Sequence, residues 1–486
     1  MSRINTNITS LVARHHLQRS NLDLATSLRR LSTGLAISRG ADNPAGLIVS
    51  ERLRSEISSI SQAIDNAERA SNVIATTEAA LQEISTLLTS IKGLAVEAAN
   101  TGAFSQEEVE ANQLQIDSAI ESITRISNST SFAGLKVLNG SLDYLTSGVD
   151  NNNVRDVKVF GATFGTNTTI PVTVEVLNSA ENATLFISGN AATSPGAFLS
   201  SVTFELQGPK GVEVFSFVSG TTLSAVVQAV NSTATATGIS ASLVDAADQT
   251  SGMVLTSQAY GSDAFVSARK ISNGDFFQTF DQQGGTAVNR DAGEDVLSLV
   301  NGHLALGDGL DISLKSSTLN VEMSLTAAAG TTLGTNTFTI TGGGALFQVG
   351  PGITTSQQVG FGIHSVAASR LGNQVVGFLN SVVSGGDNSL VAGKSSEATL
   401  IMDASIDQIA ILRGRLGAFE RNTLETTIRS QQIALENLTA SESSIRDTDF
   451  AEETARLTRA QILVNAGTST LGIANSTAQN VLALLQ

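Results

Sequence analysis

The chain has 486 residues with 4% aromatics, no tryptophan and no cysteine, which excludes a disulfide framework, a thiolate metal site and a cysteine nucleophile. Its formal charge of −16 excludes the basic surface that a nucleic-acid partner demands. Residues 140–394 hold 33 of the 43 glycines and 9 basic against 19 acidic side chains (−10), whereas residues 1–139 (12 against 14) and 395–486 (7 against 11) are near neutral, so an acidic, water-facing centre on near-neutral ends is predicted.

The segment Met1 to Ser10 has no basic region followed by an apolar run, so it does not read as a cleaved secretory signal. No stretch of about 18 apolar residues is present to span a membrane. Ile4, Ile8, Leu11, His15, Gln18, Leu22, Ala25, Leu28, Leu31 and Leu35 recur at heptad-like spacing and predict a helix with one apolar seam. Asn43-Pro44 breaks it, because the residue before proline disfavours α and proline suits a first helical turn. From Leu53 through Ile64, Ile74, Leu81, Leu88 and Ala95 a heptad seam predicts one long helix ending near Asn100. A second follows with Val109, Ile116, Ile120 and Ile123 on its apolar face and Glu107, Glu108 and Glu110 at its positive end. Asn139-Gly140 reads as a hairpin signal.

The centre alternates like strands at 157–159, 172–176 and 185–187, between glycine- and asparagine-rich turns. Residues 200–272 read as a unit: strands around Val202–Glu205 and Val212–Val218, a helix around Leu223–Val230, then strands near Ile239–Leu243 and Met253–Thr256. Strand character returns at 317–349. Helical periodicity resumes near Glu397 and runs through Ile409, Leu416, Leu424 and Leu435 to Ile445. After Arg446-Asp-Thr-Asp449, a last seam steps through Leu457, Ala460, Val464, Gly467, Leu471, Ala474, Ala478, Val481 and Leu485. Apolar stripes at both ends cannot bury themselves alone and must pair with each other or with copies.

No site for chemistry is visible. His15 and His16 are adjacent on a helix and face different sides, without a His-Glu-x-x-His pattern; His15 at the seam is expected to pack at an interface. Gly393-Lys-Ser395 ends like a phosphate loop, but Asn388 stands where the leading glycine is required. Gly360-Phe-Gly362 lacks the third glycine of a dinucleotide fingerprint. No enzyme and no cofactor are expected.

Several stretches resemble bacterial flagellin: Asn5-Thr-Asn-Ile8, Arg30-Leu-Ser-Thr-Gly through Asp42-Asn-Pro-Ala-Gly46, Ala75-Thr-Thr-Glu-Ala-Ala-Leu81, Phe132-Ala-Gly-Leu-Lys-Val-Leu-Asn-Gly140, Ile445-Arg-Asp-Thr-Asp-Phe-Ala-Glu-Glu453 and Arg459-Ala-Gln-Ile-Leu through Leu485. Residues 200–272 resemble the small repeat module of flagellins and hook-associated proteins. The resemblance implies an α+β multidomain fold, with long coiled-coil-like helices from both chain ends forming a rod and a glycine-rich, mainly-β central insert. It divides the chain into a channel-lining helix (1–44), a rod domain of long helices then a β-hairpin (45–160), a surface insert (161–390), a returning rod helix (391–445) and a second channel-lining helix (446–486). It implies a structural subunit of the bacterial flagellar filament, exported unfolded through the filament channel by the flagellar type III system and located outside the cell. Its alternatives are a hook–filament junction protein and, more remotely, a flagellin with an enzymatic insert.

The residues expected at the assembly interface are Ile4, Ile8, Leu11, Leu22, Leu31, Leu35, Leu457, Val464, Leu471, Val481 and Leu485. The implied partners are further copies in a helical filament, an export chaperone at the C-terminal helix, and the filament cap and hook-junction proteins, with no nucleic acid and no membrane. Lys92, Leu94, Ala95 and Val96 match the segment where many flagellins meet the innate immune flagellin receptor. Ser90 replaces that pattern's arginine and Gly93 its glutamate, and charge-assisted bonds lost there cost about 1.5–3 kcal/mol each.

Overall fold

The computed structural model describes residues 6–100, 102, 105–165, 167–188, 196–271 and 277–483, without the side chains of Gln249 and of residues 477–483. Its helices are α1 (Ile8–Thr33), α2 (Pro44–Ala98), α3 (Gln106–Ser129), α4 (Leu223–Ser232), the single turns α5 (Ala234–Thr237) and α6 (Ala327–Gly330), α7 (Ser395–Phe419), α8 (Glu425–Arg446) and α9 (Phe450–Ala483). Long helices at both ends therefore flank a β-rich centre. Two compact units divide the chain: residues 1–71, 348–357 and 418–486 form one, and residues 72–347 with 358–417 the other. The first gathers three stretches that lie far apart in the sequence.

Helix boundaries follow local chemistry. Asn7 caps α1, its side chain accepting from the Ser10 amide at 3.0 Å, and Gly34 ends it in the left-handed region that glycine adopts without steric cost. Ser105 and Glu108 close a reciprocal capping box on α3, with Glu107 and Glu108 in its first turn. In α2 the predicted seam is buried: Ile60, Ile64, Ala67 and Ile74, then Leu81, Ile84, Leu88, Ile91 and Ala95. Between α7 and α8 the helix widens into one π turn, Glu420–Leu424, where Leu424 is buried and Glu420 accepts from Ser71.

In the second unit, ion pairs Lys92–Asp403 and Glu78–Arg413 tie α2 to α7. Buried Gln113 on α3 donates to the Val382 carbonyl and accepts from the Leu390 amide, both at 2.8 Å, fixing the loop that leads into α7. An antiparallel eight-stranded sheet runs in the order Tyr144–Ser147, Gly334–Gly343, Ile170–Asn178, Leu297–Val300, His303–Asp308, Asp311–Lys315, Leu319–Leu325, Val154–Ala162. Its core includes Val172, Val174, Val176, Val300, Ile312, Val321 and Phe338. Tyr144–Ser147 and Val154–Ala162 supply two of these strands, so the sheet draws on residues before 161 as well as after it.

A second β module spans 181–292. Two four-stranded sheets, one ordered Thr279–Phe280, Asn182–Ile187, Asp248–Tyr260, Ile239–Asp245 and the other Arg290–Ala292, Phe265–Lys270, Val202–Gln207, Val212–Phe217, share a core with α4 around Phe204, Leu206, Leu185 and Val226. The reading at 200–272 gave α4 and four of these strands; their partners from 182–187 and beyond 278 are distant in sequence. The module enters and leaves through one antiparallel bridge, Glu181 to Glu294, with backbone bonds of 2.9 and 3.1 Å.

Two turns differ from expectation. The hairpin after α3 turns at Ala133-Gly134, both with positive φ, while Asn139-Gly140 forms a bend between segments. Asn301-Gly302 instead makes the hairpin turn with φ of 50° and 78°, and the Asn301 side chain accepts from the Thr173 amide at 2.8 Å.

Candidate assembly interface

Helices α1 and α9 lie side by side and antiparallel. Asn7 donates to the Ala474 carbonyl at 2.8 Å, Ser10 to the Asn475 side chain at 2.8 Å, and Arg30 meets Glu453 at 3.5 Å near the other end. Beyond α1 the chains stay joined: the Ala36 amide donates to the Arg446 carbonyl at 2.7 Å and the Thr448 amide to that of Gly34 at 2.9 Å.

The α9 face turned to α1 is the predicted seam. Leu457, Val464, Gly467 and Leu471 are half-buried, Ala460 and Ala474 buried. Close approach requires the small residues: a Cβ on Gly467 would stand 3.3 Å from Leu17 Cδ1. The register of these contacts sets Leu24 opposite Ala460. The α1 face differs from the predicted one. Ser10, Ala13, Leu17, Ser20, Leu24, Ser27 and Leu31 turn inward at intervals of three and four. Ile8, Leu11, Leu22 and Leu28 are exposed, as are His15, Gln18 and Ala25, so His15 is not packed within the chain. The reason is geometric: helices this close interleave leucine with serine and alanine, and the inward stripe is too polar to stand out by hydropathy.

Of the predicted interface residues, Leu31, Leu35, Leu457, Val464 and Leu471 are thus brought together in one chain, while Ile8, Leu11 and Leu22 face outward. Ile4 and Leu485 lie outside the described residues, as does the side chain of Val481. Sequence reasoning missed the large apolar side chains that α9 exposes at Phe450, Ile462, Leu463 and Ile473, of which Ile462 and Ile473 lie on the side away from the seam. Each terminal helix therefore buries one face inside the chain and leaves large apolar side chains open elsewhere, gathered on one face in α1 and spread around α9. Monomeric proteins rarely leave so much apolar surface to water.

The segment matched to the immune receptor is partly committed elsewhere. Ala95 is fully buried, Leu94 half-buried and Lys92 paired with Asp403, leaving Val96 exposed.

Family models place these elements. Residues 4–143 match the bacterial flagellin N-terminal helical region, residues 399–485 the bacterial flagellin C-terminal helical region, and residues 203–259 the flagellin hook IN motif. A flagellin of Salmonella rubislaw is 28% identical over 511 residues and the B-type flagellin of Pseudomonas aeruginosa 29% over 537, each alignment covering 99% of both chains. Among solved structures, hook-associated protein-3 of Legionella pneumophila is 11% identical over 81% of this chain and 98% of its own (TM-score 0.32), and FliC of Burkholderia pseudomallei 13% over 72% and 98% (TM-score 0.23). With both helical ends matched in order, the repeat motif between them and flagellins aligned from end to end, the chain belongs to the bacterial flagellin family.

Proposed function

We infer that the chain is a structural subunit of the extracellular bacterial flagellar filament, serving motility by assembly rather than by catalysis. The observation that carries this is the pair α1–α9: both flagellin-matched ends are joined along one seam and still present exposed large apolar side chains. Those side chains are where neighbouring copies pack. Each Leu or Ile buried there contributes roughly 1.5–3 kcal/mol, multiplied along every subunit contact. Ile8, Leu11 and Leu22 act between copies in this reading, whereas Leu457, Val464 and Leu471 hold the pair together.

The same reading assigns export through the type III route, an export chaperone that shields α9 before assembly, and cap and hook-junction proteins at the filament ends. The test is direct. Filaments sheared from cells should consist of this chain as their major component, and the purified chain should polymerise on such seeds. A protein found in only a few copies at the base of each filament would instead be a junction protein.

A further inference from the structure

Strands Leu297–Val300 and His303–Asp308 fold back on each other, with Leu299 directly across from Leu304. The same register sets Leu297 across from Leu306. Alternation sends Ser298, Val300 and Ala305 inward and leaves the four leucines on the opposite face. Leu304 is 65% exposed, Leu306 73% and Leu297 41%, and Leu177 on the adjoining strand adds 43%. A sheet face turned to water ordinarily carries polar side chains. Opposed residues bring their Cβ atoms within about 4.5–5.5 Å, so these side chains form one block. Scattered surface leucines need no explanation; a contiguous block does.

The charges beside the block indicate its occupant. Glu175 pairs with Leu299 on one flank. On the other, the register of Leu306 with Ser313 carries Lys315 to the place beside Leu304. The row therefore reads Glu175, Leu299, Leu304, Lys315, acid at one end and base at the other. We propose that this face is a contact between two copies of the chain, packed sheet against sheet about a two-fold axis running along the strands. That operation reverses the row. It lays Leu299 of each copy on Leu304 of the other and sets Glu175 against Lys315 twice over. An axis across the strands would oppose Glu175 to itself.

A block of a few hundred Å² falls below the roughly 800 Å² per partner of a stable dimer. Pairing is therefore weak between free chains and strengthens where an assembly holds copies close. Only that gain rests on the filament reading. Asp308 and Asp311 stand opposite each other at one end of the block, and the two-fold brings the acidic ends of both copies together, which further weakens pairing between free chains.

Zero-length carbodiimide coupling tests the contact on the full chain, using equal parts of unlabelled and heavy-isotope protein, free at high concentration and as filaments. Within one chain Glu175 and Lys315 are three strand spacings of about 4.7–4.9 Å apart, too far to couple. A mixed-isotope peptide joining 175 to 315 is expected in both samples and more abundant in filaments. It should vanish in Leu304→Ser/Leu306→Ser and in Glu175→Lys, and the Glu175→Lys/Lys315→Glu exchange should restore it. Coupling of free chains that never polymerise would remove the filament reading and leave this contact standing. Absence of the mixed peptide from both samples, or its persistence in the leucine variant, overturns the proposal.

Discussion

Single residues show how closely the β module is fitted. Tyr144 sits in a slot walled by glycines: an added Cβ would stand 2.4 Å from its Cζ at Gly344, 2.6 Å from its hydroxyl at Gly360 and 2.9 Å from its Cδ2 at Gly362. Its hydroxyl accepts from the Ala162 amide at 3.1 Å and donates to the Ala162 carbonyl, and burial raises its pKa above the ordinary tyrosine value. Tyr144→Phe should lower stability by about 1–3 kcal/mol, because a buried amide and carbonyl lose their partner. Gly344→Ala should cost at least as much, since that residue also has φ of 78°. Urea unfolding of the free chain measures both; unchanged midpoints would refute the slot. Asp42 predicts a pH effect. Burial pushes its pKa up, but the Ser38 and Arg39 amides and the Ser38 hydroxyl outweigh it and leave the carboxyl below the ordinary value. The stability it gives the loop after α1 is complete above the unfolded value of about 3.9 and disappears as pH falls through the lower folded value. An NMR titration should show the Ser38 and Arg39 amides shifting only at that acid end.

Elements explain why one seam was legible and its partner was not. In α9 the inward positions are leucine, valine, alanine and glycine, so the 3–4 spacing shows in the sequence. In α1 the inward positions include three serines, and hydropathy selects the opposite face. The two faces should separate in experiment. Gly467→Leu drives a side chain into Leu17 and should destabilise the α1–α9 pair by roughly 1–3 kcal/mol, read as faster amide exchange in both helices of the free chain. Leu22→Asp and Ile462→Asp lie at outward positions, so exchange in the free chain should stay unchanged while filaments fail to form. Normal filaments from either would show that these positions face solvent in the assembly. In the second β module, Asn231 holds the edge strand at Ala241 through two bonds of 2.9 and 2.8 Å, a side chain doing what a neighbouring strand otherwise does.

At the scale of the molecule, the two β modules are nested rather than consecutive. Removing residues 190–370 would cut strands from the eight-stranded sheet and leave Tyr144–Ser147, Val154–Ala162 and Ile170–Asn178 without partners. Removing residues 182–293 instead takes out one module and rejoins Glu181 to Glu294, whose backbones are already hydrogen-bonded. A joint of a few flexible residues suffices, spanning roughly 5–6 Å times the square root of its length. This deletion should keep the eight-stranded sheet and filament assembly, giving thinner filaments with less acidic surface. Electron microscopy decides it: soluble chains alone, with export intact, would mean that the removed module supplies contacts between copies.

By itself the sequence determined the helical ends, the break at Asn43-Pro44, the buried seam of α2, the α9 seam and the strand-rich, acidic centre. Each of these is a local or periodic property, set by side chains within one or two turns or by alternation along one strand. Tertiary structure alone decided which face of α1 meets α9, which strands join sheets across a hundred or more residues, and where the nested module begins and ends. Those outcomes depend on close approach and on pairing between distant segments. The small residues that permit such approach, Ser20, Ser27, Ala460 and Gly467, carry almost no hydropathic signal.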